Sequence, residues 1–209
     1  MRRTILILFF LTGMQGVIFP LHISTDYTEN KHYRTIGIID TSADFEVVGE
    51  VLTDFESYRK WAVRGLDGRE PGSEDLIGLL TDTMYTDELD ELTIMYDVRL
   101  PWPLGSEGNR AEFTVTDLSR NPTSVSFDLV MKKTSALLKD ASLQVNIYPE
   151  AEGCRIEATA LVRFTFLLNL FFDLPGYKKT IEWRIVRVMT NMEDYIREYT
   201  VCRAPGGEG

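Results

Sequence analysis

Histidine is nearly missing from this chain. His22 and His32 are the only two in 209 residues, and both precede the region with regular hydrophobic patterning. That region therefore has no imidazole to serve as general base or metal ligand. Concentrated positive charge is missing too: "MKK" at 131 to 133 and "YKKT" at 177 to 180 are isolated pairs in a chain of formal net charge -10 and pI near 4.8. Such a surface repels a nucleic-acid backbone, so nucleic acid is not an expected partner. No glycine-rich phosphate loop and no serine in a nucleophile-elbow setting occur, and nothing implies a cofactor or a metal. The acidic stretch "TDELDELT", residues 86 to 93, falls at a turn and reads as a solvated loop rather than a calcium loop.

Long apolar runs are also scarce. The exception, "MRRTILILFFLTGMQGVIF", sets Arg2 and Arg3 before an apolar stretch broken at Gly13, Gln15 and Gly16. That is the pattern of an export signal, too short and interrupted for a comfortable spanning helix. We expect a signal over residues 1–16, a polar linker over 17–32, one domain over 33–202 and a disordered tail over 203–209, with the mature protein periplasmic or secreted. An uncleaved N-terminal anchor is the other reading. Export gives the two cysteines a meaning, since oxidising compartments let a disulfide persist. Cys154 and Cys202 become candidates for one, with two buried free thiols as the alternative.

Within the domain, "RTIGIID" has strand character, and "TSAD" supplies a capping-box start with Thr41 as acceptor and Asp44 near the positive helix end. Phe45, Val48, Leu52 and Phe55 follow at helical spacing, and "SYRKWAV" continues as a second short helix. From about residue 75 the period becomes two. Leu92, Ile94, Tyr96, Val98 and Leu100 share one face, and the alternation recurs through Phe113 and Val115, Val125 to Met131, Leu143 to Ile147, and Ile156 to Phe166. Short polar turns separate these runs, which makes neighbours antiparallel. Helical spacing returns with Ile181, Ile185, Val188, Met192 and Ile196.

The expected fold class is α+β: a curved seven-stranded antiparallel sheet wrapped round a long C-terminal helix, with two short helices after the first strand. A sheet curled round one helix leaves space between them. Ala111, Ala158, Ala160 and Val162 at that interface mean either close packing or an unfilled cavity. A helix returning antiparallel to the last strand would bring Cys202 back towards Cys154. Arg184 falls at the edge of the helix's apolar stripe. It should snorkel outwards or meet an internal acid, with a ligand headgroup as the alternative.

Two segments make the pattern specific. "VLTDFESYRKWA", residues 51 to 62, ends a helix in an aspartate-aromatic pair with a tyrosine and a tryptophan shortly after. "YDVRLPWPLGSEGNR", residues 96 to 110, ends a strand in Pro101, Trp102, Pro103 and Leu104, then closes on Asn109 and Arg110. With the element order, these resemble the helix-grip superfamily of START lipid-binding domains, polyketide cyclases and pathogenesis-related allergens. The resemblance implies an internal cavity for a lipid or other hydrophobic small molecule. Its lining would be drawn from Trp61, Tyr96, Trp102, Phe113, Phe127, Ala158, Val162, Phe164, Arg184, Ile185, Val188 and Met192. "LLNLFFDLPGY", before the last helix, corresponds to the gating region of such proteins and would suit transient membrane contact; packing as the first buried turn of that helix is the competing reading. Two other functions stay open: a cyclase or hydrolase using Tyr96, Asp117 or Arg184 to polarise its substrate, and a closed structural module without ligand.

Overall fold

The protein is described from a computed structural model over residues 21–68, 78–100, 105–166 and 173–203. Eight strands form one antiparallel sheet: β1 Leu21–Tyr27, β2 Tyr33–Thr41, β3 Gly78–Thr86, β4 Glu91–Val98, β5 Ser106–Asn121, β6 Ser124–Met131, β7 Leu138–Glu150 and β8 Gly153–Phe164. The order across the sheet is β1-β2-β8-β7-β6-β5-β4-β3. Helix α1 covers Phe45–Thr53, α2 Tyr58–Trp61, and α3 runs from Leu174 to Arg203.

Seven of the eight strands are the expected ones, and the eighth corrects the reading of residues 17–32. Part of that stretch is β1, which pairs with β2 from Leu21 opposite Ile39 to Tyr27 opposite Tyr33. Its period-two signal is weak because His22, Ser24 and Asp26 point to solvent while Ile23 and Thr25 turn just half inwards. The strand is held by its ladder, by the Thr25–Thr35 hydroxyl pair at 3.2 Å and by the Arg34–Asp26 ion pair. His32 accordingly belongs to the domain. Its Nε2 lies 2.6 Å from Asp140 on β7, and Asp140 also accepts from Arg163 on β8.

The start of α1 is a second correction. Asp44 is the N-cap, accepting from the backbone N–H of Glu46 at 2.9 Å and of Val47 at 3.2 Å. These are the two donors an N-cap side chain can reach, whereas Thr41 is three residues too early and accepts from Ala43 instead. Val48, Val51 and Leu52 then turn into the core with Val125, Ile147 and Ile156 from the sheet.

α3 lies across the concave face. Tyr177 near its start stacks at 4.3 Å on Tyr33, the first residue of β2, and Glu193 meets Thr41, the last. Sixteen helical residues rise about 24 Å and eight strand residues about 26 Å, so the two run level and α3 is antiparallel to β8. On the far side Arg184 reaches Gly78 on β3, the other edge of the sheet. One helix thus touches both margins of the curled sheet. Arg187 and Asn191 add hydrogen bonds to the Arg64 carbonyl after α2.

The expected bridge between Cys154 and Cys202 is not formed: Cys154 is a free, buried thiol. Cys154 pairs with Thr41, which is level with Glu193. Position 202 lies nine residues further along α3, about 13 Å beyond that level. The helix overshoots the strand it was expected to meet.

Candidate functional site

Two aromatic groups pack between the sheet and α3, and they sit at opposite ends of it. At one end Tyr33, Phe164 and Tyr177 contact one another with ring centroids 4.3 to 5.8 Å apart. At the other, Phe55 contacts Tyr58, Tyr85 and Phe127, while Trp61 contacts Tyr58 and Tyr195. Such clusters fill space well and bind their elements together. Between them several inward positions are small, Thr35 and Gly37 on β2 and Ala158 and Ala160 on β8, while β7 sets Leu143 and Val145 beside those alanines.

Gly37 is the informative residue. It is buried, yet a Cβ built on it would meet no atom of the described residues within 4 Å. Close-packed interiors do not leave that room. Gly37 therefore floors an unfilled space on the concave face. Interpolating between Tyr33 opposite Tyr177 and Thr41 opposite Glu193 sets Ile185 at the level of Gly37. Ile181, Ile185 and Val188 on α3, like Ala158, Ala160 and Val162 on β8, are half-buried, whereas Tyr33, Phe164, Tyr177, Phe55, Trp61 and Phe127 of the aromatic groups are buried. The result, among the described residues, is an apolar hollow between the sheet and α3 with an aromatic group at either end.

The residues expected to line a cavity divide accordingly. Ala158, Val162, Ile185 and Val188 flank the hollow, and Phe164 helps close one end. Trp61, Phe127 and Met192 are at most 1% exposed and belong to the packed core. Phe113 is buried in the wall formed by β5. Trp102 and residues 167 to 172 fall outside the described residues. Tyr96 is buried with its hydroxyl already engaged, donating to Ser135 Oγ at 2.7 Å and accepting from the Leu137 N–H at 3.2 Å. It braces the β6–β7 connection. Gly37, Thr35 and Tyr177 escaped the sequence reading, although a glycine inside the strand "RTIGIID" signals a close approach or a gap.

Arg184 departs from expectation most. The side chain is half-buried, and among the described residues it meets no acid. One Nη donates to the Gly78 carbonyl, and the buried Nε has no hydrogen-bond partner among the described residues. Burial lowers its pKa to about 10, with Tyr177 opposing that shift.

Of the polarising residues of the enzymatic alternative, Asp117 stands apart from Tyr96. Asp117 is exposed at an irregularity of β5, with φ of 54°. Asn109, the β5 partner of Tyr96, is eight residues from it, about 26 Å along an extended strand. Among the described residues no cluster of His, Cys, Asp and Glu could hold a metal ion, and no helix is long and apolar enough to cross a membrane. Two surface clefts lie away from the hollow. One of about 230 Å³ is lined by Glu50, Asp54, Arg120 and Tyr199 among others, and one of about 490 Å³ runs along the β7–β8 turn near Asp40 and Arg155.

Neither a protein-family model nor a curated protein sequence matches the chain. Solved structures do. A START superfamily protein from Mycobacterium smegmatis is 13% identical, with a TM-score of 0.52 over 80% of this chain and 99% of that one. The Zhui aromatase/cyclase from Streptomyces sp. R1128 is 14% identical, with a TM-score of 0.53 over 83% of this chain and 98% of that one. At such identities the likeness speaks for the fold, which is the START-type helix grip.

Proposed function

We propose that this helix-grip chain is an exported carrier that holds a hydrophobic small molecule, of lipid type, between the sheet and α3. The observation that carries the reading is the open space above buried Gly37, bounded by half-buried apolar side chains inside an otherwise well-packed molecule. Ligand sites are concave and mostly apolar with few polar groups, and this hollow has that make-up. Apolar burial drives binding, at about 0.8 kcal/mol for each methylene removed from water. The basic and apolar N-terminal run supports export. Phe166, 77% exposed two residues past the end of β8, offers an apolar contact to a membrane during loading or release.

The test is native mass spectrometry and organic extraction of the protein purified from its exported location. A stoichiometric apolar ligand is the expected result. An apo mass that stays unchanged after incubation with mixed lipids would overturn the carrier reading and leave a structural module.

A further inference from the structure

Arg184 narrows the kind of ligand. It lies on the inner face of α3, with Ile181 three residues before it and Val188 four after, both packed against the core. Its neighbour Ile185 is level with Gly37, so the guanidinium stands beside the hollow on the β3 side. An arginine has five N–H donors and stays charged. Here one bond to a neutral carbonyl is formed, and among the described residues the group has no carboxylate partner. The leading charge interaction on it comes from Tyr177, a phenol and so neutral at ordinary pH, the more so as burial raises its pKa. Buried charges are ordinarily paired, since desolvation costs several kcal/mol that a neutral acceptor does not return.

We propose that the occupant of the hollow is an anionic amphiphile, and that Arg184 is the residue that binds its acid group. The inference rests on the carrier reading above and adds the headgroup chemistry. The apolar body lies along Gly37, Ala158, Ala160 and Val162, while the acid, a carboxylate or a phosphate monoester, takes the free Nε–H and the remaining Nη donors. A guanidinium binds either acid through two parallel N–H···O bonds, so the site's chemistry is shared between the two classes.

The experiment is equilibrium dialysis of the full chain against palmitic acid, hexadecyl phosphate and hexadecanol, for the wild type, Arg184→Met and Arg184→Lys. The wild type should bind at least one of the two anions about tenfold or more tightly than hexadecanol, as expected for charge-assisted hydrogen bonds in a buried site. Which anion is preferred assigns the acid class. Arg184→Met should lose that preference while hexadecanol affinity holds, which also shows that the variant is folded; Arg184→Lys should keep part of it. Equal affinity for acids and alcohol in the wild type, or a preference that survives Arg184→Met, overturns the inference while leaving the carrier reading intact. Failure of all three probes to bind overturns both.

Discussion

Glycine in the middle of a strand ordinarily weakens it, and replacing it by alanine fails only when the methyl has nowhere to go. At Gly37 the methyl meets open space, and φ lies outside the left-handed region. Gly37→Ala should therefore stabilise the protein by about 1 kcal/mol, from lower unfolded-state entropy (about 0.5 to 1 kcal/mol) and one methyl buried against apolar walls. For a domain of this size that is a rise in Tm of about 2 to 4 °C. Two internal controls bracket it. Gly49→Ala places a methyl 3.1 Å from Val125 Cγ2, so a helix-propensity gain of up to about 1 kcal/mol is offset by a forced shift, and the net should be near zero. Gly153→Ala, at φ 102° in the β7–β8 turn, drives its methyl into the Thr41 carbonyl and should cost more than about 2 kcal/mol. Urea denaturation of the three variants gives the ranking. A Gly37→Ala variant less stable than the wild type would show that the space is filled, and the hollow with it would be refuted. Gly37→Leu extends the test to function: the fold should persist and binding of an apolar ligand should fall at least tenfold, an order-of-magnitude expectation for a plugged site.

Other expectations follow from single residues. Removing the α1 cap with Asp44→Ala should cost about 1 kcal/mol in urea denaturation, and Thr41→Ala should leave the helix start intact. Cys154, whose pKa burial pushes up to about 12, should stay unreactive to a thiol reagent at pH 8 in the native Cys202→Ser variant and react on unfolding; modification in the native state would contradict its burial. Burial raises the Asp140 pKa, but hydrogen bonds from His32 and Arg163 outweigh it and leave the carboxyl below its usual value. A depressed carboxylate stabilises above its unfolded pKa, near 3.9, and loses that contribution as pH falls through the folded value. Asp140→Asn should therefore lower stability by about 1 kcal/mol at pH 7, with the gap to wild type closing below about pH 4. Phe166→Asp should leave Tm unchanged within about 0.5 kcal/mol of stability and slow ligand transfer to vesicles.

The sheet was legible because six strands alternate strongly enough to show one face, with the parity of β3 mixed, and the last helix because its stripe runs from Ile181 to Ile196. β1 was not, since an edge strand needs only a partner's backbone ladder, and Ile23 in "LHISTDY" is no more than half-buried. Trp61 and Phe127 illustrate a different limit. Large aromatics on a buried face fit a cavity wall and a solid core equally well, and what separates them is which side chains stand opposite. The hollow is instead marked by the small residues, Gly37, Ala158 and Ala160, whose meaning depends on how far away α3 lies. The same holds for Arg184: its place on the wheel was readable, but that no acid among the described residues faces it is a property of the assembled elements.

The hollow and the arginine are coupled energetically, because the same occupant relieves both. An apolar cavity costs about 24 cal/mol for each Å³ left empty, and an unpaired buried guanidinium adds several kcal/mol. A ligand that fills the first and pairs the second binds the folded state alone, so its effect on stability is set by mass action. At a hundredfold excess over Kd that is about 2.7 kcal/mol, or about 5 to 10 °C in Tm at this domain size. Palmitic acid at such an excess should produce that shift in the wild type. In Arg184→Met the unliganded Tm should be equal or higher, because the unpaired charge is gone, and the same palmitic acid concentration should shift it less. A Tm that falls on Arg184→Met without ligand would mean that the bond to the Gly78 carbonyl outweighs the desolvation of the charge. The arginine would then be a structural strut across the mouth of the grip, with no stability cost left for an anionic ligand to relieve.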